Sequence, residues 1–589
     1  MATERRATGW RAPAMLLGLL VLFCAPMLST PDGFLSGDSY RDNDWLTDRF
    51  FDLAARKTLL EEGAFPLRSH LIGGGYPTLG QPFDGSWAPT LLAILLFGPV
   101  LGVKLNLFLL LALGTWGVWR LSRDWLGLDQ GPAGFAAASF AVSGWLPSMM
   151  LVGFYPQVFY MAAPGALALL LTPRRSGDAI LSGALLFLLL QQGGNAFAAT
   201  VGFLFAALWA HTAYSAVERG SRAPTGIAFW KSQLLPWLAL LGMSSGLALQ
   251  HRYGQPRWLV LSGLGLVLLA LPPLRSFVRS LRSPLLLFAG VLCVTLTLGI
   301  GKLVALSPVL AEADYAHAGN LPPSSWPAPP RGRGEGRSLD PDRYDENFYS
   351  SWGDLLAGVS GRAPKEGSYV PPPDPPPGRE LLEPIDRRSA TREYEYLGLT
   401  PGLCLLLLLG MVEAVRRREP RPLVLAAGAV AVCMGPHLLP DLHLLLAGGL
   451  PLLRSLSQPV KYYNFFLLLP LVLLLGLAAR QVLEWAEGRG QRGLGWGVLV
   501  LLLAWPVIQN APVWADRFAE PMPPWSCEGC TQVKQVGHPS WVRESRATIE
   551  EWSDRHRLRE RRRSNQKPKH QPSPATSEAI RPRICGQGR

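Results

Sequence analysis

Apolar runs of about 16–22 residues recur along the chain, and each is long enough to cross a hydrocarbon core of ~30 Å as a helix. "FFLLLPLVLLLGLAAR" (465–480) is typical. Lipid offers no partner to an exposed N–H or C=O, so such a run must satisfy its own backbone by coiling. The short alternating segments of a membrane barrel are not evident. Charge agrees, because only 17% of the 589 residues are Asp, Glu, Lys or Arg, against about 25% in a soluble domain. The expected fold class is an all-α polytopic membrane protein. Its bundle would hold about thirteen transmembrane helices, with a large first outer loop.

The formal charge of +13 does not imply nucleic acid. Much of the arginine lies in short loops beside the apolar runs, where the positive-inside rule puts it. The N-terminus has a basic start and then an apolar stretch, read as an uncleaved first helix near 13–29 that leads to an outer loop, 30–87. "APTLLAILLFGPVLG" (88–102) is short for a crossing, so it is expected to be interfacial or re-entrant. The next run then crosses and brings Arg120 and Arg123 inside. Runs near 132–149, 156–172, 179–192, 196–215, 232–249, 257–273, 284–305, 397–415, 422–437, 462–480 and 494–510 keep the other arginine loops inside, including "RRREPR" (416–421). By this count the C-terminal tail is outside. The expected division is 1–306, a transmembrane module with the outer loop; 307–396, a Pro-rich external loop; 397–511, further transmembrane helices; and 512–589, a polar basic tail.

Cys24, Cys293, Cys404 and Cys433 fall in apolar runs and read as small core residues. "CEGC" (527–530) reads as an external disulfide before a zinc site, which would need two more ligands. "GPVLGVKL" (98–105) lacks the spacing and the Ser/Thr of a phosphate loop.

Chemistry is most legible in "GDSYRDNDWLTD" (37–48), which carries Asp38, Asp42, Asp44 and Asp48 just beyond the first helix. On a helix Asp44 and Asp48 would share a face. The cluster reads either as a solvated, helix-capping acidic face or as carboxylates at the mouth of a membrane cavity. In the second case one could take a proton from an acceptor hydroxyl, or hold a divalent cation. Gly73, Gly74 and Gly75 before Tyr76-Pro77 imply a tight turn. Arg454 and Lys461 precede a run on the outer side, as partners of a lipid phosphate or as snorkelling anchors. His251, Arg252 and Arg257 make another outer basic patch, whose plainer reading is an ordinary loop. Gln191, Gln192 and Asn195 sit at the outer ends of two helices, lining a cavity or bonding between helices.

The acidic cluster, then "EEGAFPLRSHLIGGGYP" (61–77), then an apolar segment resembles the bacterial YfhO-type membrane proteins of the GT-C glycosyltransferase superfamily. Gly63, Pro66, Leu67, Gly74, Gly75, Tyr76 and Pro77 match that pattern, with Arg68 where Trp is common. "FAVSGWLPSMMLVGFYPQVFYMAAPGAL" (140–167), "LLLQQGGNAFAATVGF" (188–203) and "PLLRSLSQPVKYYNFFLLLPLVLLLGLA" (451–478) are similar to later segments of the family. In the last, Gln458 and Lys461 replace arginines.

The resemblance implies a GT-C-like bundle and a sugar moved from a polyprenyl-phosphate donor to a glycan, lipid or protein acceptor. The transfer would occur at the outer face of a bacterial inner membrane. It implies a carboxylate base, Asp44 first and Asp42 second, and cations Arg454 and Lys461 on the donor phosphate. Arg68, His70, Tyr76, Gln192 and Asn195 would line the substrate cavity. No metal or other cofactor is demanded, although a divalent cation would suit the carboxylates. The alternative is a flippase or transporter of lipid-linked intermediates, or a non-catalytic envelope scaffold. Charges crowd at the ends of the runs and not within them, which favours interfacial chemistry over translocation.

Overall fold

The computed structural model describes residues 11–30, 33–34, 44–61, 63–69, 76–78, 85–152, 155–175, 177–192, 194–219, 284–302, 304, 397, 399–434, 459–517 and 520–521. The expected runs near 232–249 and 257–273, the patch at 251–257 and the C-terminal tail beyond 521 lie outside these residues. In chain order the helices are α1 (Arg11–Leu28), α2 (Asp44–Leu60), α3 (Leu91–Arg120), α4 (Gln130–Ala141), α5 (Trp145–Val152), α6 (Tyr155–Val158), α7 (Ala163–Leu171), α8 (Gly177–Gln192), α9 (Gly194–Arg219), α10 (Pro284–Lys302), α11 (Pro401–Arg416), α12 (Arg421–Met434), α13 (Pro459–Glu487) and α14 (Arg492–Arg517). A π-helical turn, Leu121–Trp125, extends α3, and a 3-10 turn, Phe159–Ala162, joins α6 to α7. Two short antiparallel pairs complete the described residues: β1 (Gly33–Phe34) with β4 (Glu520–Pro521), and β2 (Arg68–Ser69) with β3 (Tyr76–Pro77). The chain is an all-α membrane protein, as its composition requires.

Hydrophobicity explains where each helix lies. In α13 the stretch from Phe465 to Leu475 is apolar on every side and buried, as a helix without a polar face must be in a bundle. It packs against α4, α11, α12 and α14. Outer helices are buried on one side only. Leu22 on α1, Ile300 on α10, Leu405 on α11 and Leu501 and Ile508 on α14 are exposed. Water would penalise such a girdle, whereas lipid tails are as apolar as Leu. Cys293 joins this outward surface, while Cys24 and Cys433 are buried. Three stretches are long and apolar enough to cross a membrane by length and composition: Leu91–Trp125, Pro284–Lys302 and Tyr463–Glu487.

The first of these is not straight. Gly98 adopts φ 82° and ψ 169°, and Pro99 follows it. A Cβ on Gly102 would come within 2.6 Å of the Ile94 Cα. In a continuous helix those residues would stand about 12 Å apart along the axis. The chain therefore doubles back at Gly98, which accords with the re-entrant reading of 88–102. The longer arm, from Pro99 onward, continues the helix. One departure from the expectation concerns 132–149, where one run is broken into α4 and α5. The Gly144 N–H turns aside to the Leu397 carbonyl at 2.9 Å.

Small residues let helices touch. A Cβ on Gly117 of α3 would lie 2.3 Å from the Gly165 nitrogen of α7, and one on Gly410 of α11 would lie 2.2 Å from the Leu474 carbonyl of α13. Close backbone approach of this kind replaces the hydrophobic drive that lipid cannot supply.

One end of the bundle gathers the arginines. Arg120 donates to the Asp178 carboxylate at 2.8 Å and to the Thr172 carbonyl at 2.7 Å. Asp124 is paired with Arg123 and Arg174. Arg421 is buried between the rings of Trp125 and Tyr214, 4.7 and 4.2 Å from their centroids, and paired with Glu419. The Trp125 indole donates to His211 Nδ1 at 2.9 Å. Arg417 reaches Glu484 of α13 at 2.6 Å. The ends of α3, α7, α11 and α13 and the starts of α8, α12 and α14 thus meet, with the C-terminal part of α9 beside them.

Candidate functional site

The opposite end carries α1's exit and the first loop. Lys104 and Arg120 are about 24 Å apart along α3 at 1.5 Å per residue. Lys104 is fully buried there, and its ammonium donates to the Thr30 carbonyl just past α1. A cation at a helix C-terminus meets the negative end of the dipole. Asn106, also buried, donates to the Thr90 carbonyl at 2.9 Å and contacts the Tyr155 hydroxyl at 3.5 Å. These side chains tie α1, the folded-back arm of α3 and α6 together. Lys302, at the end of α10, is a second buried lysine. α10 lies beside α8, where Gly183 meets Val291 and Val294 and Gly299 meets Leu190, so the two run parallel. Lys302 is therefore near the end of α8 that bears Gln191 and Gln192.

α2 forms because "DWLTDRFFDLAARKTLL" has neither Gly nor Pro, has Asp44 at its positive end and has Lys57 in its last turn. Asp44, Asp48 and Asp52 follow one another at four-residue spacing and share a face. Asp52 is buried, together with Phe51, Ala54 and Ala55, and α2 rests on α3 and α6. The sequence reading stopped at Asp48 and missed Asp52, although the same spacing pointed to it. Beyond α2 the loop is knotted at Thr78. Its hydroxyl donates to the Pro66 carbonyl and accepts from the Trp87 indole at 3.2 Å. Phe65 meets the Trp87 ring edge-on at 4.5 Å.

A buried polar layer sits at the same end. Ser182 of α8 donates to the Ala166 carbonyl, and a Cβ on Gly165 would touch Leu185. That antiparallel register carries Gln191 to the level of Gln157. Both are buried, and neither Oε1 accepts a hydrogen bond among the described residues; nor does the buried Trp145 Nε1 donate one. Around them Tyr160 stacks on Phe465 at 5.5 Å and Trp145 meets Phe465 at 4.8 Å. Buried polar atoms of this kind ordinarily bind water or a ligand.

The residues singled out by sequence fall as follows. Asp44 opens α2. Arg68 and Tyr76 lie in the paired strands, where Arg68 is opposite Pro77 and Tyr76 opposite Ser69. Gln192 closes α8 and Asn195 is in the first turn of α9, while Lys461 is in the first turn of α13. All of these are at the end of the bundle away from the arginines. Asp42, His70 and Arg454 lie outside the described residues. Among the described residues no three His, Cys, Asp or Glu side chains gather as a metal site.

No family model matches the chain, and no curated protein does. Nine solved chains are similar to this one, two of them as follows. One is the Archaeoglobus fulgidus oligosaccharyltransferase in the apo form, at 13% identity and a TM-score of 0.43, covering 88% of this chain and 57% of that one. The other is the same archaeal oligosaccharyltransferase tethered to an acceptor peptide containing the NVT sequon through a disulfide, at 13% identity and a TM-score of 0.40, covering 88% and 56%. The chain spans a little over half the length of those structures. A likeness this distant carries neither their fold nor their chemistry to this protein.

Proposed function

We propose that this protein is a GT-C-type membrane glycosyltransferase that transfers a sugar from a polyprenyl-phosphate donor to a cell-envelope acceptor. The observation that carries the reading is the segregation of the bundle's ends. The arginines meet at one end, which the positive-inside rule makes cytoplasmic. The acidic helix α2, the buried Lys104 and Lys302, the polar layer of Gln157 and Gln191, and the first turn of α13 are at the other. Carboxylates and buried cations at the outer rim are what transfer from a lipid phosphate needs.

In the proposed reaction the Asp44 carboxylate, or that of Asp42, accepts the proton of the acceptor hydroxyl. The hydroxyl oxygen attacks the anomeric carbon, and the bond from that carbon to the phosphate oxygen breaks with its electrons on the phosphate. Arg454 and Lys461 neutralise the departing polyprenyl phosphate. Arg68, His70, Tyr76, Gln192 and Asn195 line the space for sugar and acceptor. A divalent cation on the carboxylates would serve the same charge balance without altering which bonds change.

The test is transfer of labelled sugar from polyprenyl-phosphate donors to envelope extract by the purified protein and its Asp44→Asn and Asp42→Asn variants. Loss of transfer by about 10²–10⁴-fold is expected for the residue that acts as base, with donor binding retained. Unchanged envelope glycans in cells carrying both substitutions would sink the reading.

A further inference from the structure

We infer that the α11–α12 and α13–α14 turns together form a binding site for the phosphate headgroup of an anionic phospholipid. Both turns close with the same backbone device. The Glu419 N–H returns to the Ala414 carbonyl at 2.8 Å, and the Gln491 N–H returns to the Ala486 carbonyl at 2.8 Å. Such a turn needs a left-handed residue just before the returning N–H, and glycine is usual there. Gly490 fills it in the second turn, at φ 70°, whereas the first turn holds Arg418 at φ 55°. A residue with a Cβ is strained in that region. An arginine thus stands where glycine would cost less, and it adds a charge to this corner.

The turns are neighbours. Arg417 reaches Glu484 at 2.6 Å and Arg416 reaches the Gln481 side-chain carbonyl at 2.7 Å. Arg416 and Arg417 pair with Glu413, Arg417 and Arg480 with Glu484, and Arg492 with Glu487, so arginines outnumber the carboxylates they meet here. Arg416 is 58% exposed and Arg492 66% exposed, so their guanidinium groups are open to a ligand. Arg489 lies 4.0 Å above the ring of Trp485, itself 51% exposed. An exposed indole beside cations is the composition of a membrane–water boundary. Immediately along the helices, Met411, Val412 and Val415 of α11 and Leu494 and Val498 of α14 turn outward. Acyl chains would lie on that surface while the phosphate meets the arginines. This continuity of cation and aliphatic surface selects a lipid over soluble phosphate. Guanidinium forks match phosphate oxygens bidentately, and a zwitterionic headgroup brings its own cation to compete.

Native mass spectrometry of the full-length protein released from nanodiscs of phosphatidylcholine with phosphatidylglycerol tests the site. The wild type should retain phosphatidylglycerol several-fold over phosphatidylcholine, and an Arg416→Gln/Arg489→Gln/Arg492→Gln variant should lose that preference. Arg418→Gly is the second variant, because it relieves the left-handed strain and so folds at least as well. It should melt no lower than wild type in neutral detergent yet retain less phosphatidylglycerol. Equal retention of the two lipids by the wild type, or unchanged preference in both variants, would overturn the proposal. None of these readouts depends on glycosyl transfer.

Discussion

The Asn106 side-chain amide donates to the backbone carbonyl of Thr90 at 2.9 Å, across sixteen positions that a straight helix would hold far apart. The bond exists only because α3 doubles back at Gly98, and it closes the folded arm onto the long one. Asn106→Leu keeps the volume but leaves the Thr90 carbonyl without its donor. We expect destabilisation of about 1–3 kcal/mol, read as a lower thermal midpoint in detergent. Faster proteolysis within 85–100 should accompany it. An unchanged midpoint would mean that the arm is held by its apolar contacts alone.

Gly98 gives a sharper test of the same hairpin. A Cβ there meets nothing within 4 Å, so substitution by alanine adds strain without steric collision. At φ 82° and ψ 169° the backbone lies in a region essentially reserved for glycine. Gly98→Ala should cost about 1–3 kcal/mol. Gly134, in the middle of α4, also has open space around a new Cβ but no positive φ. Gly134→Ala should be neutral or stabilising by up to ~1 kcal/mol. Equal effects at the two sites would refute the hairpin geometry.

Asp178 makes the arginine end sensitive to acid. It lies just ahead of the apolar run of α8. Burial pushes its carboxyl up, but hydrogen bonds from the Arg174 backbone N–H and the Arg120 side chain outweigh that, and the net direction is down. A depressed folded pKa stabilises the protein at pH values above the unfolded value, about 3.9 for Asp. That contribution disappears as pH falls from there through the folded pKa. Asp178→Asn should therefore lower the thermal midpoint at pH 7. The gap to wild type should shrink as pH falls below about 4. Measuring both proteins across pH 3–7 isolates Asp178 from the other carboxylates; a constant gap would show that its charge contributes nothing.

Parts of this fold can be read from residues and parts cannot. The doubled-back segment was legible because a run that short is poor material for a crossing, and a crossing there would put Arg120 and Arg123 outside. Burial of α13 was legible because no side of its apolar run offers polar residues to water. The break between α4 and α5 was not, because Ser143-Gly144 interrupts hydropathy too briefly to be noticed. By sequence Arg421 reads only as a member of the inside loop "RRREPR" (416–421). Its place between Trp125 and Tyr214 depends on rings from two other helices, and no local pattern announces such stacking. Asp52 lies beyond the densest acidic stretch, although the helical period continues through it. Of the proposed site, the spacing of Asp44 and Asp48 on one face could be anticipated. The buried Lys104 and Lys302 could not, since a lysine near the end of an apolar run reads most simply as snorkelling.

The ladder between Gly33–Phe34 and Glu520–Pro521 has a consequence for biogenesis. Its two halves are separated in synthesis by every helix from α2 to α14. The base of the first loop thus stays open until α14 has been inserted. A ribosome that stops before residue 520 would release a bundle whose first loop is unlatched.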